Sequence, residues 1–149
     1  MTPFMEQSCV KELPLPKQTD AGNPCDWLLF AEGDLQAVRL LAGQSAVFSV
    51  CRSKLAEALE KLLKADLIHC GWELRKTHDL QSLLDDLASH TPTTANQLQP
   101  IVDELAEAYS QTRYPGFDLA DDDWPRLREL LVQVQEYNDD LARRLSPKP

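Results

Sequence analysis

From Phe48 to Ile68 apolar residues return every third or fourth position: Phe48, Cys51, Leu55, Ala58 and Leu59, Leu62, Ala65. That spacing lays them along one face of a 3.6-residue helix, with Arg52, Lys54, Glu57, Glu60, Lys61 and Lys64 on its other faces. A strand would alternate every second residue instead. Gly71 supplies a stop. An amphipathic helix of this length needs partners to cover its stripe, so the rest of the chain must provide them.

The same period recurs four more times. Asn23 is a good N-cap, Pro24 suits the first helical position and Asp26 lies near the positive helix end. Trp27, Ala31, Leu35, Val38 and Leu41/Ala42 then share a face until Gly43. A third helix is expected from a Thr77 cap, with Asp79 in its first turn and Leu80, Leu83/Leu84 and Leu87 as its core side. A fourth is expected from about Pro100, used as a first-turn residue, through Ile101, Leu105, Ala108 and Tyr109. Residues 113–120 read as a loop around Pro115-Gly116. The last helix is capped within Asp121–Asp123 and carries Leu127, Leu130/Leu131, Val134, Tyr137, Leu141 and Leu145. No alternating segment of strand length and no internal repeat stands out. The expectation is an all-α, up-and-down bundle of four or five helices over residues 23–146. It is preceded by an extended, partly mobile leader (1–22) with Pro3, Pro14 and Pro16, and followed by a short tail (147–149).

Charge narrows the function. The net charge is -9, and residues 91–149 hold eleven acids against six bases. An acidic chain has no global pull toward phosphate, so broad nucleic-acid binding is disfavoured and RNA is not expected as a ligand. The stretch Arg52–Lys76 is the local exception, with six bases and four acids. Cys9, Cys25, Cys51 and Cys70 are far apart and match no zinc-site spacing, so all four are read as reduced and no metal is expected. The Asp121–Asp123 run lacks the spaced oxygen ligands of a calcium loop. Without a P-loop or dinucleotide glycine pattern, no cofactor is expected. Neither a signal-peptide pattern nor an apolar run of membrane-spanning length is present, which makes the cytoplasm the expected compartment and a membrane no partner.

Several short strings then occur in a specific order. Trp27 and Asp34-Leu35 lie in the first helix, Phe48 and Glu60-Lys61-Leu62-Leu63-Lys64-Ala65 in the second. Thr77-His78-Asp79-Leu80 opens the third, and Arg113-Tyr114-Pro115 follows the fourth. In order and spacing, residues 25–141 resemble the HEPN domain (higher eukaryote and prokaryote nucleotide-binding), in its branch associated with minimal nucleotidyltransferases. The resemblance implies a four- or five-helix bundle that forms a homodimer and binds a nucleotidyltransferase-type partner, a nucleotide, or both, as in toxin–antitoxin-like pairs. The residues it assigns to nucleotide or partner binding are Lys61, Lys64, His78, Arg113 and Tyr114.

Other HEPN proteins are metal-independent ribonucleases whose motif is Arg, four to six residues, then His. A cation steadies phosphate charge there while imidazole moves the proton. In this chain the histidines are His69, His78 and His90, and none has an arginine at that distance; Arg75 stands only three positions before His78. No histidine is followed two positions later by tyrosine, the arrangement that partner transferases modify in related toxins. A non-catalytic subunit is therefore the leading expectation, with no catalytic residue assigned. The alternatives are a divergent ribonuclease toxin using His78 with Arg75 or Arg113, and a structural helical adaptor. His78 also has a plain reading as a first-turn residue near a cap, and Lys61 and Lys64 as a solvated face paired with Glu57 and Glu60.

Overall fold

The computed structural model describes residues 18–108, 115–116 and 121–146. Among them are five α-helices: α1 (Pro24–Gly43), α2 (Phe48–His69), α3 (Leu80–Ala88), α4 (Pro92–Leu105) and α5 (Trp124–Leu145). The described residues contain no strand, and the chain is an all-α bundle, as its periodicity requires.

Local chemistry sets the boundaries. The Asn23 side chain accepts a hydrogen bond from the Cys25 amide at 3.0 Å, and Pro24 stands at the first position, where its missing N–H costs nothing. The α1–α2 corner is tight: the amides of Gln44, Ser45 and Ala46 donate back to Leu41 and Ala42 carbonyls, and Ser45 and Val47 take left-handed φ values of 46° and 50°. A β-branched valine rarely adopts that conformation. Helix α3 starts later than Thr77 suggests. Thr77 Oγ1 accepts from the Asp79 amide at 3.1 Å, and Asp79 is the cap, its Oδ1 accepting from the Ser82 amide at 3.2 Å. Asp123 caps α5 likewise through the Arg126 amide at 3.0 Å.

Helix α4 corrects the sequence expectation. It begins at Pro92 and carries Pro100 in its interior. Proline there has no amide to donate to the Asn96 carbonyl, a loss of about 3 kcal/mol in an isolated helix. Packing overrides it, because Ala95, Leu98, Ile101, Val102 and Leu105 are all buried on both sides of the proline. A reciprocal amide pair between Gln81 and Gln99 (2.7 and 3.2 Å) ties α4 to α3 beside the interruption.

Helix α2 is the spine, touching all four others, with α1 and α5 packed together on it and α3 paired with α4. Its Leu55, Leu59, Leu62, Leu63 and Leu67 have no exposed surface. Helices α2 and α5 run in the same direction: Phe48 meets Trp124 edge-to-face at 5.2 Å near their starts, and Asp66 meets Arg144 at 3.0 Å near their ends. After α2 the chain turns at Gly71 (φ 92°) and doubles back, which returns His78 to the side of Glu60, about two and a half turns before the helix end. Residues 20 and 21, ahead of α1, also join the body. Asp20 N–H donates to buried Asp26 at 2.9 Å, and the Trp27 indole donates to the Ala21 carbonyl at 2.7 Å.

One expectation about the thiols is overturned. Cys51 and Cys70 are free, but Cys25 is disulfide-bonded. Spacing along the chain did not reveal this, since a bridge depends on which backbone segments the fold brings within reach.

Candidate functional site

Glu60 organises the residues that the motif strings single out. It lies on α2 with 7% of its surface exposed, and its two carboxylate oxygens serve different partners. Oε2 pairs with Lys64 Nζ at 3.0 Å, one helical turn on, and Oε1 meets His78 Nδ1 at 2.9 Å. Lys64 is itself buried (5% exposed), and its ammonium stands 5.2 Å from the centre of the Trp27 ring on α1. This is how a buried ammonium is tolerated: a carboxylate takes its charge and an aromatic face covers it. The His78 side chain remains 62% exposed.

Lys61 does not join this cluster. Three positions before Lys64, it points toward α1 and pairs with Asp34, which Lys54 also approaches at 4.0 Å while pairing with Glu57 at 3.0 Å. Beside Lys61 lies an apolar cavity of about 260 Å³, formed with Asp26, Trp27, Phe30 and leader residues 19–21. Arg75, the nearest arginine in sequence to His78, turns to α3, where it bonds Asp86 at 2.5 Å and covers Trp72 at 5.6 Å. Arg113 and Tyr114 lie outside the described residues. The fold thus joins Lys64 and His78 through Glu60, sends Lys61 to a neighbouring ion pair, and takes Arg75 away.

A second polar cluster was not anticipated. Asp66 is fully buried, accepts from the Tyr137 hydroxyl at 2.7 Å, and receives both terminal nitrogens of Arg144 at 3.0 and 3.1 Å. Arg144 also bonds Asp140 at 2.9 Å. Burial, reinforced by the adjacent carboxylate, pushes the Tyr137 hydroxyl well above its ordinary pKa of 10.0. The sequence carries one signal for this cluster: Asp66 is an acid set between Leu62, Leu63 and Leu67, where an unpaired carboxylate would be untenable. The Tyr137 ring helps line a groove of about 380 Å³ between α4 and α5, with Gln97, Gln133, Glu136 and Asp140 at its polar parts.

Chemically, the first cluster is balanced rather than cationic. Lys61, Lys64 and Arg75 each have a carboxylate partner, so none is a ready-made phosphate anchor. No group of three or more His, Cys, Asp or Glu among the described residues is arranged to hold a metal ion. No helix among them is long and apolar enough to cross a membrane.

Comparison with known proteins returned no match among curated proteins and none among solved structures. The HEPN domain family model, however, matches residues 25–139. That span runs from the first turn of α1 nearly to the end of α5 and includes the whole Glu60 cluster. With its all-helical bundle and the motif strings in place, the chain belongs to the HEPN domain family.

Proposed function

We propose that this HEPN domain acts by binding and not by catalysis, as a homodimeric subunit that docks a nucleotidyltransferase-type partner in a toxin–antitoxin-like pair. The observation that carries this reading is the pairing of the motif bases with acids on the same or adjacent elements, in a chain of net charge -9. A site evolved to hold phosphate would leave positive donors uncommitted. Here a nucleotide has to displace Asp34 from Lys61 or Glu60 from Lys64 and His78 before its phosphates gain a cation. A protein surface meets no such competition. Nucleotide binding through Lys61, Lys64, His78, Arg113 and Tyr114 is accordingly weak and steeply salt-sensitive on this reading.

The test is purification of the tagged protein from its native host, with mass spectrometry of what is retained, alongside titration with ATP at low and high salt. Retention of a small nucleotidyltransferase in stoichiometric amount is the expected result. Tight, salt-insensitive ATP binding with no protein retained would reverse the assignment.

One observation favours a second reading. Glu60 holds Nδ1 of a largely exposed imidazole, the carboxylate–histidine arrangement that orients a general base. A divergent ribonuclease built on His78 predicts metal-independent cleavage of mixed RNA that disappears in His78→Ala. The binding reading predicts no cleavage by either protein.

A further inference from the structure

Two helix pairs lean on α2: α1 with α5, and α3 with α4. Where the pairs meet, α4 and α5 face each other across the groove of about 380 Å³ described above. On the α5 side, Gln133, Glu136, Tyr137 and Asp140 occupy the i, i+3, i+4 and i+7 positions of one helix face, a wall about 10 Å long. Helix α4 supplies the opposite wall, with Leu98 and Ile101 on its buried side and Gln97 on its exposed edge. Leu98, Ile101 and Tyr137 all belong to the core, so the floor of the groove is the outer edge of that core.

The charge of this groove is one-sided. None of its described lining residues is a base. Asp140 is balanced by Arg144 at 2.9 Å and Arg143 at 3.6 Å. Glu136 is exposed on the rim and, among the described residues, has no ion pair. It thus differs from Lys61, Lys64 and Arg75, whose charges are all taken up by carboxylates. An apolar floor beneath an uncompensated carboxylate and two side-chain amides matches an organic cation. Methylenes or a ring displace water from the floor, while an ammonium or guanidinium donates to Glu136 and to the oxygens of Gln97 and Gln133. The Tyr137 ring adds an aromatic surface that attracts positive charge. A concave volume of this size falls within the usual range of small-molecule sites, and walls of two turns are short for seating a partner's helix. We propose that the α4–α5 groove binds a small organic cation, an amine or guanidinium compound whose apolar body is about as long as the groove. This site does not depend on the partner-docking reading, and no residue of the Glu60 cluster lines it.

The experiment is isothermal titration calorimetry of the full chain with 1,8-diaminooctane, beside two controls. The first, 1,8-octanediol, has the same apolar body without charge; the second, ammonium chloride, has the charge without the body. Wild type is expected to take up one diamine per chain and to bind neither control. Glu136→Gln is expected to weaken the diamine roughly fivefold, the upper end for an exposed ion pair. Glu73→Gln removes an exposed acid outside the groove and is expected to leave the affinity unchanged. Gln97→Trp fills the groove from its exposed edge and is expected to abolish uptake. Circular dichroism melts check that each variant is folded, as substitution at exposed positions leads one to expect. Absence of diamine uptake by wild type, or a control that binds as tightly as the diamine, overturns the proposal. Equal weakening by Glu136→Gln and Glu73→Gln also overturns it, because an acidic chain would then be attracting the diamine diffusely. So does undiminished uptake by folded Gln97→Trp.

Discussion

Arg144→Met isolates the worth of the buried cluster at Asp66. In the native protein Asp66 has no exposed surface and receives three hydrogen bonds, two from Arg144 and one from Tyr137. Methionine preserves most of the aliphatic stem but withdraws the positive charge and two donors, leaving a buried carboxylate with a single hydroxyl. Removing one partner of a buried pair costs about 3–5 kcal/mol. The Arg144 side chain is 34% exposed, so water reaches the vacated space and the lower end, about 3 kcal/mol, applies. For a domain of this size that lowers the melting temperature by roughly 6–12 °C. Adding Asp66→Leu removes the stranded charge, and the double variant should recover at least half of the loss, because an apolar replacement of a whole buried pair is often neutral. Urea unfolding followed at 222 nm, at pH 7 and fixed ionic strength, reads both numbers. A loss under about 1 kcal/mol in Arg144→Met, or a double variant no better than the single, would refute the claim that Asp66 depends on that cation.

Four shorter predictions follow from other sites. Stability should fall as pH rises above about 10, where an unfolded tyrosine ionises but Tyr137, its pKa raised, still holds its proton; Tyr137→Phe should flatten that limb in urea melts between pH 9 and 11. Glu60→Ala strands the buried Lys64 ammonium and should cost about 3 kcal/mol, whereas His78→Ala, at a largely exposed side chain, should cost under about 1; equal losses in thermal melts would contradict the hub role of Glu60. Val47→Gly relieves a left-handed valine worth about 1–2 kcal/mol against glycine's entropic cost of roughly 0.5–1, so the melting temperature should rise slightly. Thiol labelling of the denatured, non-reduced protein with peptide mapping should find Cys51 and Cys70 modified and Cys25 protected until a reductant is added.

Much of the fold was legible because helix formation and burial leave a periodic trace in the chain. The stripes of α1, α2, α3 and α5, the caps at Asn23 and within Asp121–Asp123, and the all-α class all follow from local spacing and side-chain chemistry. Family membership was legible for a related reason, since Glu60–Ala65 and Thr77–Leu80 are short strings whose order survives without any knowledge of contacts. Local rules misplaced the start of α4. They treat Pro100 as a boundary, and only the burial of residues on both sides of it supplies the energy to run a helix through. What tertiary structure alone decided is the partner of each charge. The sequence shows Lys61, Lys64 and His78 as bases near one another, but a helix rotates successive positions by 100°, and the return of residues 70–79 is a matter of three-dimensional packing. Those two facts send Lys61 to Asp34 and bring Lys64 and His78 to opposite oxygens of Glu60. The same holds for Asp66, more than 70 residues before Tyr137 and Arg144: no one-dimensional period relates it to them, because only the packing of α2 against α5 puts them side by side.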